Sequence, residues 1–206
     1  TGAEAYRVKV EQACLDVIGT EGGSVRYTAL NLTGYVLAAG LVGFTDPAFV
    51  SWVDDVRFFA PDGRTLFECH EERPNNWGTD CGGARVAAGL YLGDAADLEV
   101  AATVFLGWLD GSWPHDYGDL CWQADSANPV GINPAGAVLD GLSVDGVLPD
   151  DQRRTGLCPP DAACENYVRT ALQGVLVQAH LLRRWHLADA WEASDAAVAR
   201  AMAWHD

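Results

Sequence analysis

Two helix-length segments separated by one short break constrain this chain most. Residues 79–92 contain Arg85-Val-Ala-Ala-Gly-Leu-Tyr-Leu, Gly93-Asp94 interrupts the pattern, and residues 95–109 resume it. So short a connection joins antiparallel neighbours, so the spacing predicts a helical hairpin. The rest of the chain repeats the theme. Residues 3–18 place Tyr6, Val10, Cys14, Val17 and Ile18 at three- and four-residue intervals. Residues 24–42 follow Gly22-Gly23, with Ser24 as N-cap and a nearly all-apolar run from Tyr35 to Val42 that predicts a buried helix. Asp46-Pro47 opens a further helix, whose Phe49, Val50, Trp52, Val53, Val56 and Phe59 share a broad face. Pro61-Asp62-Gly63 then makes a turn, and helices are expected over 164–185 and 189–205, the latter with Ser194-Asp195 near its middle. Strand alternation is weak everywhere.

Between residues 111 and 160 the regularity fades. Prolines 114, 129, 134, 149, 159 and 160 exclude long helices there, while Trp113 and Trp122 argue against disorder. Loops of this length are usually functional or disordered, so an ordered functional loop is expected. The expected fold is mostly α: one domain spanning residues 1–206, built of stacked antiparallel hairpins with one long ordered loop (about 111–160).

Charge narrows the partners. Thirteen Lys+Arg stand against 29 Asp+Glu, a net charge of −16. That balance argues against nucleic acid, whose binders carry a basic face, and no apolar run is long enough to span a membrane. Lys9 is the single lysine, and Asp outnumbers Glu 20 to 9. A composition bias or a salt-adapted acidic surface accounts for the overall imbalance. The arginines still matter, because a guanidinium fork grips a carboxylate at two points and an ammonium does not.

Six cysteines (14, 69, 81, 121, 158, 164) are dispersed without a C-x-x-C pair, which speaks against structural zinc or a thioredoxin-like motif. Cys158 and Cys164 bracket Pro159-Pro160, where a local disulfide is expected, and Cys69 and Cys81 similarly flank an asparagine-rich turn. All 15 pairings of six cysteines stay open, but their even number favours an oxidising compartment. The stretch from Thr1 carries no secretory leader, which reads as a processed secreted or periplasmic chain or a cytosolic one. Asn31-Leu32-Thr33 fits the glycosylation pattern but lies inside a helical stretch.

Three segments hold the residue types of a reactive site. Asn75-Asn76-Trp77-Gly78, after Pro74, makes a polar turn at the mouth of a helix, where amides can donate to an anion or simply cap. Pro149-Asp150-Asp151-Gln152-Arg153-Arg154 pairs arginines with aspartates, either a self-satisfied loop or a guanidinium aimed at a carboxylate. Tyr167 follows in Asn166-Tyr167-Val168-Arg169-Thr170-Ala171-Leu172, near a helix start, where a tyrosine by itself is ordinarily a packing residue. The five histidines (70, 115, 180, 186, 205) show no metal-like spacing, and there is no nucleophile elbow, phosphate loop or dinucleotide fingerprint.

Taken in order, these segments resemble the alginate-lyase-type polysaccharide lyases. The amide turn, an arginine-bearing loop, Tyr-x-x-x-Ala-Leu (Tyr167 to Leu172), and the tail Gln178-Ala179-x-Leu181-Leu182 with Trp191 and Asp195 carry the likeness, across residues 24–206. It implies an incomplete α/α toroid and β-elimination on an anionic, uronate-containing polysaccharide, without a metal or other cofactor. The C5 proton becomes removable once the adjacent carboxylate is neutralised, a task the resemblance gives to Asn76 with Asn75 and to Arg153 or Arg154. Tyr167 would serve as base and acid of a syn elimination. The family commonly has a histidine after the paired asparagines, where this chain has Trp77. His70 and His115 are the substitutes, and Trp77, Trp113 and Trp122 the aromatic surface for sugar. The alternative is a non-catalytic carbohydrate-binding or structural protein on the same scaffold, favoured by Trp77, the short chain and the extra cysteines. An enzyme would need its scarce arginines in the groove.

Overall fold

The computed structural model describes residues 2–161 and 166–205. The chain is mostly helical. Its helices are α1 (Gly2–Asp16), α2 (Val25–Val42), α3 (Pro47–Val56), α4 (Leu66–Glu72), α5 (Asn76–Leu92), α6 (Ala95–Asp110), α7 (Pro149–Gln152), α8 (Asn166–Arg184) and α9 (Ala193–His205). A 3-10 turn over Arg153–Thr155 follows α7, and β1 (Val138–Leu139) pairs antiparallel with β2 (Leu142–Ser143). Among the described residues no helix is long and apolar enough to cross a membrane.

Local chemistry sets the helix ends. Ser24 accepts from the Tyr27 amide, Asp46 from Ala48 with Pro47 in the first turn, and Asp94 from Asp97. The expected α5–α6 hairpin is present, with Gly93 left-handed at the end of α5 and Asp94 capping α6. Helix α4 falls outside the expected set, although Thr65 and Glu68 form a reciprocal capping box there. In α9, Ser194, Asp195 and Ala196 have left-handed backbone, so the expected helix over 189–205 begins later and is interrupted near its start.

Helix α5 is the axis of the packing. It is buried over nearly its whole length and touches α2, α3, α4, α6 and α8. Its crossing with α8 is close because Gly82 and Gly83 face Gln178 and Val177, and Gly174 faces the Thr79 backbone. A Cβ on Gly174 would lie 2.3 Å from the Thr79 carbonyl, and a helix backbone cannot yield as a side chain can. Gly174→Ala is therefore expected to destabilise by about 1–3 kcal/mol, the usual cost of overpacking. Urea unfolding checks this, and an unchanged midpoint would remove the close crossing as a determinant of the fold.

The loop over 111–160 is ordered, as expected, by polar bonds together with a small apolar cluster. Asn133 donates to the Trp122 carbonyl at 2.8 Å, accepts from Ala124 at 3.0 Å, and its backbone bonds Val147, Gly146 and Arg200. Gln123 returns both side-chain bonds to Val130. Trp122, Val144 and Val147 form a small second core.

Cysteine pairing departs from expectation. Cys121 is bonded to Cys158, tying the start of the long loop to its end, so Cys158 is not available to Cys164, which lies outside the described residues. Cys69, Cys81 and Cys14 are free, buried thiols. Asp119 lies beside Cys121 and Cys158, but a disulfide has no thiolate to offer a metal.

Candidate functional site

The three candidate segments meet at the N-terminal end of α5. Asn75 is its N-cap, accepting from the Trp77 amide, which places Asn76 at the first helical position. Three bonds from the long loop and α6 fix the preceding turn: Trp108 Nε1 donates to Pro74, Trp113 Nε1 to Glu71, and the Asp116 amide to Glu72. Pro149 starts α7, and that single turn delivers Asp150 and Asp151 under the amide turn and Arg153 and Arg154 beside it.

The two arginines have different partners. Arg153 forms two hydrogen bonds with Asp150, Nε to Oδ1 at 2.8 Å and Nη2 to Oδ2 at 3.2 Å. Arg154 forms no ion pair among the described residues; its Nη1 donates to Asn76 Oδ1 at 3.3 Å and its guanidinium lies 3.7 Å from the Tyr167 ring centroid. Asn76 is fully buried, and its Nδ2 donates to Thr170 Oγ1, whose hydroxyl in turn donates to the Tyr167 carbonyl. Arg154, Asn76, Thr170 and Tyr167 thus form one connected group. Tyr167 is 39 % exposed and Arg154 is half-buried, so both reach solvent.

This geometry redistributes the expected roles. Asn75 has spent its amide on Asp150, at 3.0 Å, and its oxygen on capping, so neither faces a ligand. Asn76 contacts Arg154 rather than open space. Arg153 is a strut.

The expected aromatic surface is largely absent. Trp122 is fully buried in the second core, with Nε1 donating to the Leu157 carbonyl, which corrects the expectation that it faces sugar. Trp77 is half-buried against the main core, and Trp113 is half-buried and tied to Glu71.

The histidines lie beneath the turn. His70 is buried against Arg85, and burial holds its pKa well below the usual value, with the Arg85 charge adding to the effect. Burial also lowers His115, to about 4. Both line a small pocket of about 10 Å³ shared with Arg73, Thr79 and Gln178, whose lining does not include Tyr167.

His115 gives a pH prediction. Its folded pKa is depressed, so in acid the unfolded chain takes a proton that the fold refuses, and the stability lost appears as pH falls from 6.5 towards 4. Asp80 acts oppositely: burial raises its carboxyl to about 6 despite Arg26 at 2.8 Å, so its contribution is present below 3.8 and fades as pH rises through 6. Comparing His115→Gln with the parent cancels the Asp80 part. Between pH 7 and 4.5 the difference in unfolding free energy is expected to move in the variant's favour by about 2 kcal/mol. A pH-independent difference in urea unfolding would refute the assignment.

Three further participants were not among the expected site residues, although Asp151 and Thr170 lie in the candidate segments. Asp151 is buried, its Oδ1 accepts from the Asn76 amide at 3.1 Å, and burial pushes its pKa well up, with the neighbouring Asp150 charge adding to this. Tyr117 has a buried hydroxyl held in its neutral form by burial and by the Asp150 charge. Thr170 could have been found only as the residue one helical turn beyond Tyr167. Compared with protein-family models, curated proteins and solved structures, the chain gives no match.

Proposed function

We propose that this protein is a polysaccharide lyase that cleaves an anionic, uronate-containing polysaccharide by β-elimination. The observation that carries the reading is one guanidinium, Arg154, touching both Asn76 Oδ1 and the Tyr167 ring at a solvent-reaching surface. Arg154 would hold the substrate carboxylate with its remaining donors and stabilise the charge that grows on it as C5 loses its proton. Tyr167, as phenolate, would take that proton; the C5 electrons form the C4–C5 double bond, the C4–O4 bond breaks, and the same phenol protonates O4. Asn76 would orient Arg154, and Thr170 would tie Asn76 to the helix carrying Tyr167. The hairpins would be the incomplete α/α toroid of that family, and Cys121–Cys158 supports a secreted or periplasmic location.

A second reading, a carbohydrate-binding protein without catalysis, draws on a specific fact: Asn76 has its amide committed to Thr170, and both candidate histidines, one buried and one half-buried, sit in a pocket whose lining does not include Tyr167. The deciding test follows the ultraviolet band of unsaturated uronate on alginate, glucuronan and glycosaminoglycans, with Tyr167→Phe as control. A rise that the variant lacks supports the lyase; no rise on any polymer leaves the binding reading in front.

A further inference from the structure

The far end of α8 carries a second concentration of recognition chemistry, about 25 Å from Tyr167 at 1.5 Å per residue. His180, Arg183, Arg184, His186 and Asp189 line an open cleft of about 580 Å³. Among the described residues neither Arg183 nor Arg184 forms an ion pair, while seven other arginines do. Trp185 lies outside that cleft, on an adjoining groove that shares His180 and Arg184 with it; the indole is 47 % exposed, with the Arg184 guanidinium 5.1 Å from its ring centroid. His186, which ends the helix, adopts the left-handed region at φ 56°, a conformation that α2, α5 and α6 give to glycine at their ends.

The ordinary explanation, cations in the last turn opposing the helix dipole, accounts for the arginines alone. It leaves an exposed indole beside Arg184 and a histidine in place of glycine, a strained choice that persists when the side chain is needed. A chain of net charge −16 also repels polyanions in general, so two unpaired guanidinia are too few for a nucleic acid, whose binding depends on many phosphate contacts. A uronate polymer asks for less. Each ring offers an apolar C–H face to an indole and one carboxylate to a guanidinium fork.

We propose that this cleft is a second, non-catalytic binding site for a carboxylate-bearing glycan. It rests on the anionic-glycan class of the reading above, though not on its chemistry. Trp185 on the adjoining groove stacks on a sugar ring, Arg184 between groove and cleft holds that ring's carboxylate, Arg183 in the cleft holds a further one, and α8 links this anchor to the Tyr167 end.

The test is affinity electrophoresis of the whole protein through gels containing polyglucuronate or polymannuronate. Parent and Tyr167→Phe are expected to be retained alike, while R183Q/R184Q weakens retention by about tenfold or more for two lost charge-assisted contacts. W185A is expected to weaken it too, and absorbance turnover on short oligouronates stays at the parent value in both. His186→Gly is expected to weaken retention while raising the thermal midpoint, because the strain is relieved. The proposal is overturned if the parent is not retained, if these variants are retained like the parent, or if Arg154→Gln alone abolishes retention. Equal, Trp185-independent retention by dextran sulfate overturns it as well. Should no polymer be cleaved while retention still depends on residues 183–185, the lyase reading fails and this one stands.

Discussion

Replacing Tyr167 with phenylalanine is expected to lower turnover on the preferred polyuronate by about 10²–10⁴-fold, the range for losing a general acid–base group. The change deletes one oxygen and leaves the ring, so the stacking of Arg154 at 3.7 Å survives, and substrate affinity is expected to change little. The companion comparison is between the two arginines. Arg154→Ala removes the guanidinium that touches both Asn76 and Tyr167, and is expected to cost about 10²–10³-fold, as for the loss of a donor to a developing oxyanion. Arg153→Gln keeps an amide near Asp150 and is expected to alter stability more than turnover per folded molecule. Initial rates of unsaturated-uronate formation, normalised to folded protein, separate these cases. Equal losses in the two arginine variants would remove the distinction on which the site is built, and full activity in Tyr167→Phe would remove the mechanism.

Much of the scaffold was readable because helix ends are local events. Ser24, Asp46 and Asn75 cap the helices that follow them, and Gly93-Asp94 breaks the hairpin with residues that act within one turn. The order of amide turn, arginine loop and tyrosine helix was likewise legible, and the structure brings Asn76, Arg154 and Tyr167 together. What stayed hidden depends on distant partners. Nothing in Arg153-Arg154 says which fork is held by Asp150, since the answer lies in how a one-turn helix meets Gly118 and Asn75. Trp122 looked like a platform for sugar because its burial depends on Val144 and Val147, over twenty residues away. The partner of Cys158 was hidden for the same reason: it lies 37 positions from Cys121 along a folded loop. The net charge also resolved only in space. Arg153 and Arg154 do stand at the site, but Asp150 and Asp151 lie beneath them, so a substrate carboxylate meets the fork of Arg154 rather than a broad basic groove.

The largest stability loss is expected for Asp150→Ala. Asp150 is 4 % exposed, and its two oxygens accept four hydrogen bonds: from the Gly118 amide at 3.0 Å, Asn75 Nδ2 at 3.0 Å, and Arg153 Nε and Nη2. Those donors come from the long loop, the amide turn and the 3-10 turn, so one carboxylate joins all three segments. Alanine leaves the donors unpaired and one of them charged, and breaking a buried pair in this way costs about 3–5 kcal/mol. Because the Arg153 side chain is 27 % exposed and can rehydrate, the lower part of that range is the better expectation. Arg153→Ala removes the cation but leaves Asp150 with two neutral donors, and is expected to cost about 1–3 kcal/mol. Asp150→Asn should fall between them, since one of its two positions turns from acceptor to donor and faces Asn75 or Arg153. Urea unfolding of the three variants gives the ranking. Activity adds a second readout: without Asp150 the amide turn and α7 lose their common anchor, so turnover per folded molecule should drop in Asp150→Ala while Gly174→Ala, once folded, retains more of it. An Asp150→Ala protein as stable and active as the parent would mean that the site is held by α5 and α8 alone.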